Sequence, residues 1–193
     1  MDIQHLNVKF FVEHPEVVDL DPFLTIFNRW IQEQVCDDLL IDVADYRHVV
    51  AGPGVVLIGH QANYSLDNTD NRSGFLYNRK ARLDGSVQDR LRQAVRSALL
   101  ACRRLEEDPL LQGALRFSGQ EVRVLINDRL IAPNTEAMLL ALQPELHAFF
   151  DGLYGGAEYT ISHPSDPRER FTVHVQASAP FDITTLLDAV NIP

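Results

Sequence analysis

The sequence predicts an α+β fold: a mixed or antiparallel sheet of six to seven strands with helices packed on it. Three observations carry that expectation. Short alternating segments rich in β-branched and aromatic residues recur, as in Asn7 to Glu13. Longer segments between them repeat apolar residues at helical spacing. The order of elements also repeats, because residues 7–67 can be laid on 122–182 at a constant offset of 115. Strand then falls on strand and helix cap on helix cap.

In order, Asn7 to Glu13 is a strand. Asp21 caps the first helix and Pro22 suits its first position. Phe23, Ile26, Phe27, Trp30 and Ile31 mark its buried face. Leu39 to Tyr46 is a second strand, with Asp42 and Asp45 on opposite faces by parity. Val55 to Ala62 is a third, and its unbroken VVLI run reads as a central strand covered on both faces. Asn63 to Gly85 reads as a loop. Ser86 starts a helix reaching Glu107, with Asp89 in the first turn, where the helix dipole favours an anion. Its apolar stripe is Val87, Leu91, Ala94, Val95, Ala98, Cys102 and Leu105.

Beyond Asp108-Pro109, Leu115 to Asp128 holds one or two strands, with Gln120 near a turn. Asn134 caps a helix carrying Met138, Leu142, Leu146, Phe149 and Phe150, which Pro144 should kink or split. Ala157 to Ser162 and Phe171 to Ala177 are further strands, and His174, between two valines, faces the solvent side of the second. Asp182 caps a last helix, Ile183 to Val190. These elements are expected to form one domain over 1–193, with β-α-β-β-α halves at 1–108 and 109–193 in one pseudo-symmetric sheet.

Composition narrows the function classes. Over 193 residues the hydrophobic fraction is 46% and the charged fraction 23%, which suits a packed core rather than disorder. The start, MDIQHLNVKF, has no signal-peptide pattern, and no run approaches the roughly 20 apolar residues that span a bilayer. Cys36 and Cys102 form no close pair, which suits a reducing cytoplasm, and Asp37 and Asp38 disfavour a thiolate at Cys36. The net charge of −10 is uneven: residues 71–104 hold nine basic side chains and two acids, so that segment is +7 and the rest −17. Such asymmetry bears on partners.

The chemically specified stretch is Gly52 to Arg82. His60, Gln61, Asn63, Tyr64, Ser65 and Asp67 follow where a central strand emerges, a place that presents ligand groups in many sheets. The plainer reading is a packed strand ending in a capped polar turn. Asp67 to Ser73 alternates oxygen side chains like a calcium loop, but Arg72 stands where glycine is needed and Asn78 where glutamate is needed. An Asx turn explains it better. Arg72, Arg79, Lys80 and Arg82 could hold a phosphate or carboxylate, with Phe75 and Tyr77 stacking on a base or tucked into the core. His48, His60, Asp67 and Asp70 meet on a metal only by tertiary chance.

There is no Gly-x-Ser-x-Gly, His-Glu-x-x-His, Walker A or Gly-x-Gly-x-x-Gly motif. No catalytic residue, metal or cofactor is therefore assigned. The expected function is a non-enzymatic cytoplasmic binding or assembly protein, a homodimer, recognising an anionic partner or itself through residues 63–104. That partner is a small anionic ligand or an acidic protein surface, and a chain of charge −10 argues against nucleic acid. The alternative is an enzyme or sensor for a phosphate- or carboxylate-bearing small molecule. The candidate ligand residues are His60, Asn63, Tyr64, Arg72, Tyr77, Arg79 and Lys80.

Overall fold

A computed structural model describes residues 2–164 and 166–191. The strands are β1 (Leu6–Val12), β2 (Leu40–Tyr46), β3 (Gly54–Gly59), β4 (Ala62–Asp67), β5 (Gly74–Arg79), β6 (Phe117–Ile126), β7 (Tyr159–Ser162) and β8 (Phe171–Ala177). The helices are α1 (Asp21–Glu33), α2 (Val87–Glu106), α3 (Glu136–Leu153) and α4 (Ile183–Val190). The strands form one antiparallel sheet in the order β2-β3-β4-β5-β1-β6-β8-β7. The fold is α+β as expected, with one strand more than the upper expectation.

The additional strands come from the stretch read as one central strand and a loop. The chain turns at His60-Gln61, so Val55 to Ala62 is split between β3 and β4. β3 lies next to the edge strand β2 rather than at the centre. The turn is set by Asp38, whose carboxylate accepts from the amides of Gln61 (2.8 and 2.9 Å) and Ala62 (2.8 Å). A Cβ on Gly59 would lie 2.3 Å from that carboxylate, so glycine is required there. β5 fills much of the remaining expected loop and pairs β4 with β1.

Several local signals act as read. Ser86 and Asp89 form a capping box on α2, and Asp182 accepts from the Thr185 amide at 2.7 Å to open α4. Others are shifted. Asp19, not Asp21, accepts the Asp21 amide at the start of α1. Thr135, not Asn134, caps α3. α3 runs through Pro144 because Leu142 and Leu146 anchor it in the core on both sides. β6 is one continuous strand that includes Gln120.

The first half carries two more strands than the β-α-β-β-α order expected of it. In each half the opening strand pairs with the last strand of that half, β1 with β5 and β6 with β8. β1 and β6 pair antiparallel at the middle of the sheet. The constant offset fails beyond β3, because Ala62–Asp67 is a strand whereas 177–182 leaves β8 for α4.

Strand parity sorts the sheet into two faces. Val43, Leu57, Tyr64, Tyr77, Val8, Val124 and Val173 form one row across it. They face the core cluster that also takes the buried residues of all four helices. The alternate residues face away from the helices. Among the described residues no helix is long and apolar enough to cross a membrane.

Asp38→Ala strands two turn amides. It is expected to cost about 1–3 kcal/mol, seen as a lower midpoint in urea with an unchanged slope. An unaltered midpoint would mean that the turn does not depend on Asp38.

Candidate functional site

The face of the sheet opposite the helices carries the polar residues of the central strands. Lys9 of β1 pairs in register with Leu76 of β5 and Arg123 of β6, and Arg123 pairs with His174 of β8. The next row holds Asn63, Asn78 and Asn7 side by side, then Leu125 and Thr172. Lys9 is 1% exposed, Asn7 1% and Arg123 8%. Polar groups buried to this extent need partners.

Lys9 finds one. Its ammonium lies 2.5 Å from Asp67 Oδ2. Burial nevertheless pushes the Lys9 pKa below the usual lysine range, outweighing the pull of Asp67. Asp67 also accepts from the Thr69 amide (3.2 Å) and hydroxyl (2.7 Å), closing the Asx turn anticipated from the sequence. The turn continues through Asp70 (φ +62°) and Asn71 (φ +55°), and Asp70 Oδ2 accepts from Arg123 Nη1 at 2.9 Å. Arg72 then binds Glu121 through two bonds of 2.7 Å, which holds the Glu121 carboxyl below its usual range. The Arg72 guanidinium stacks 4.0 Å from the ring centroid of buried Phe11, with Arg123 at 5.3 Å and Lys9 at 5.5 Å. Burial, with Arg123 alongside, keeps His174 below the usual imidazole range.

Lys9, Asp67, Arg123 and His174 of this network line an open cleft of about 690 Å³. One wall is the turn at Thr69 and Asp70. The other is built by Arg129, Pro164, Asp166 and the run from Arg168 to Arg170. That wall is tied down by Asn134, whose Nδ2 donates to the carbonyls of Pro164 (2.8 Å) and Asp166 (2.7 Å). His163 adds a 2.8 Å contact to the Thr172 carbonyl. Five cations line the cleft: Lys9, Arg123, Arg129, Arg168 and Arg170. Lys9, Arg123 and Arg168 pair with Asp67, Asp70 and Asp166. Arg129 and Arg170 have no ion-pair partner among the described residues, and the remaining lining acid is Glu169. The lining thus holds five cations against four acids, Asp67, Asp70, Asp166 and Glu169.

The seven residues singled out by sequence do not meet in one pocket. Asn63 and Arg72 lie on the open face, outside the cleft lining. Tyr64 (3% exposed), Tyr77 and Arg79 are buried on the helix side. Burial pushes the Tyr64 hydroxyl far above its usual range, which removes it as an acid–base group. Tyr77 accepts from Gln93 Nε2 at 2.9 Å, and Arg79 Nε donates to the Ala81 carbonyl at 2.9 Å. His60 and Lys80 are exposed at the β3–β4 end, where Lys80 donates to the Gly59 carbonyl at 2.7 Å. Cys36 is pushed up to about 11, by burial before its acidic neighbours. No group of three metal-ligating side chains occurs among the described residues.

The residues that do line the cleft, Lys9, Asp67, Asp70, Arg123 and His174, carry a weak sequence signal. Lys9 stands between Val8 and Phe10, Arg123 between Val122 and Val124, and His174 between Val173 and Val175. A charge alternating with apolar residues marks the face away from the core. The strand partners that bring these three together are distant in sequence.

No family model, curated protein or solved structure matches the chain.

Lys9→Met leaves Asp67 buried without its counter-charge and is expected to cost about 3–5 kcal/mol. Adding Asp67→Asn should recover most of that loss in urea unfolding. Equal instability of the single and double variants would exclude the stranded charge as the cause.

Proposed function

We propose that this is a non-enzymatic binding protein that takes a small organic oxyanion, a carboxylate or phosphate, in the cleft on the open face of the sheet. One observation carries the reading: Arg129 and Arg170 reach a cleft of about 690 Å³ without ion-pair partners, above the buried Arg123. The volume suits a small molecule. The polar floor and the paired charges around it suit holding a hydrophilic anion rather than an apolar ligand. The site so assigned replaces the set around His60, Tyr64, Arg79 and Lys80. A reducing, cytoplasmic setting is part of the same proposal, since Cys36 and Cys102 are free thiols.

Citrate and inorganic phosphate are the first probes for a thermal-shift screen. A ligand at 100 times its dissociation constant adds about 2.7 kcal/mol of stability. At least one probe is expected to raise the melting temperature, and Arg129→Ala with Arg170→Ala should abolish the rise while leaving the unliganded protein folded. A shift that survives both substitutions would place the anion elsewhere.

A second reading, a homodimer, is favoured by the free edge of β2. Of the nine exposed large apolar side chains among the described residues, Leu39 just before this strand, Ile41 and Tyr46 on it, and Val49 and Val50 in the turn after it gather here. Antiparallel pairing of two β2 strands centred on Val43 would set Asp42 opposite Ala44 and Asp45 opposite Ile41. No two acids then face one another. In contrast, Arg72, Arg82, Arg90 and Arg96 of the basic segment already pair with acids of the same chain. Light scattering should give a dimer mass that Ile41→Lys reduces to a monomer. A wild-type monomer at every concentration would remove this reading.

A further inference from the structure

We propose that Asp70 is a built-in competitor: its carboxylate occupies the place on Arg123 that the ligand's oxyanion takes, and binding displaces it. This rests on the reading that the cleft takes an oxyanion, and it names the receptor group and the step that admits the ligand.

The two partners of this ion pair are unequal. The Arg123 side chain is 10% exposed and that of Asp70 64%. A buried guanidinium needs an anion, whereas an exposed carboxylate is solvated without one. Arg123 makes no second ion pair among the described residues, and the two nearest strand and turn acids are taken. Asp67 is engaged by Lys9 and Thr69, and Glu121 by both nitrogens of Arg72. The pairing is also incomplete, because Arg123 Nη1 donates to Asp70 but Arg123 Nε is buried with no hydrogen-bond partner among the described residues. An arriving carboxylate or phosphate can take Nη1, once Asp70 leaves it, together with Nη2, the forked geometry that guanidinium favours.

Asp70 is placed to leave. It sits at the tip of an exposed turn with a left-handed backbone at Asp70 and Asn71. The backbone bonds closing that turn are Asn71 N to Asn68 O (3.1 Å) and Arg72 N to Thr69 O (3.3 Å). Asp67 and Arg72, on either side, are fixed by their own ion pairs, so the tip can swing out while its ends stay anchored. Arg129 and Arg170 across the cleft then hold the rest of the anion.

Isothermal titration with citrate and with inorganic phosphate tests this on the wild-type chain, Asp70→Asn and Glu169→Gln. Asparagine tolerates the left-handed backbone, so Asp70→Asn keeps the turn. It is expected to bind at least one probe about fivefold more tightly than wild type, the size of one exposed ion pair. Glu169→Gln removes the same charge from the rim without freeing Arg123 and should change affinity by less than about twofold. The probe that responds distinguishes a carboxylate from a phosphate site. Wild-type binding that Asp70→Asn leaves equal or weakens overturns the displacement step and leaves the cleft reading standing. Equal gains in both variants overturn it too, since general charge then explains them. Failure of both probes to bind wild type and Asp70→Asn overturns the displacement and the cleft reading together.

Discussion

Lys9 and Asp67 form the contact on which the open side of this protein depends. All four helices pack on one face of the sheet, so the other face of the central strands is closed by side chains and turns alone. Lys9 lies in the middle of β1, whose residues are buried throughout. A buried ammonium holds its place only with a close counter-charge. Asp67, at the end of β4, supplies it and also closes the turn that follows. That turn delivers Asp70 to Arg123 and Arg72 to Glu121, so one buried pair arranges the next two.

The same logic explains the uneven charge along the chain. Four of the nine basic residues in 71–104, Arg72, Arg82, Arg90 and Arg96, pair with acids of the same molecule. Arg82 and Arg90 meet Asp2, Arg96 meets Asp37, and Arg79 and Lys80 donate to backbone carbonyls. Part of this cation-rich stretch thus ties the chain together, to the amino terminus through Asp2 and to the second half through Glu121 and Asn191. The surplus positive charge that faces a cleft comes from elsewhere, from Arg129 and Arg170 in the second half. A cleft bordered by both halves is a natural outcome of a sheet in which β1 and β6 are neighbours.

Much of the architecture was legible in the sequence. Each of the four helices was located, and α4 with its Asp182 cap was placed to the residue, because capping and 3.6-residue periodicity are local properties. β1, β2, β7 and β8 were found by alternation within a residue or two. The β3–β4 hairpin was missed because its turn is made by Asp38, 23 residues before Gln61. β5 was missed because its cations resembled a loop, whereas Arg79 is buried on the helix side by bonds to local carbonyls. Pro144 was expected to kink or split α3; the helix is not split, and core residues anchor it on both sides.

The candidate site was hardly legible at all. Parity correctly turned His174 away from the core, and the Asx turn at Asp67 was recognised. Arg72 was singled out for an anion but is occupied by Glu121. Alone, the sequence determined the fold class, the helices with the caps of α2 and α4, and the alternation that sets Lys9, Arg123 and His174 opposite the core. These are matters of neighbours along the chain. Only the tertiary structure decided that these three stand side by side, that Asp67 and Asp70 reach them, and that Arg129 and Arg170 lack a counter-charge. Antiparallel pairing joins residues more than 50 positions apart, and charge pairing depends on that register rather than on sequence distance.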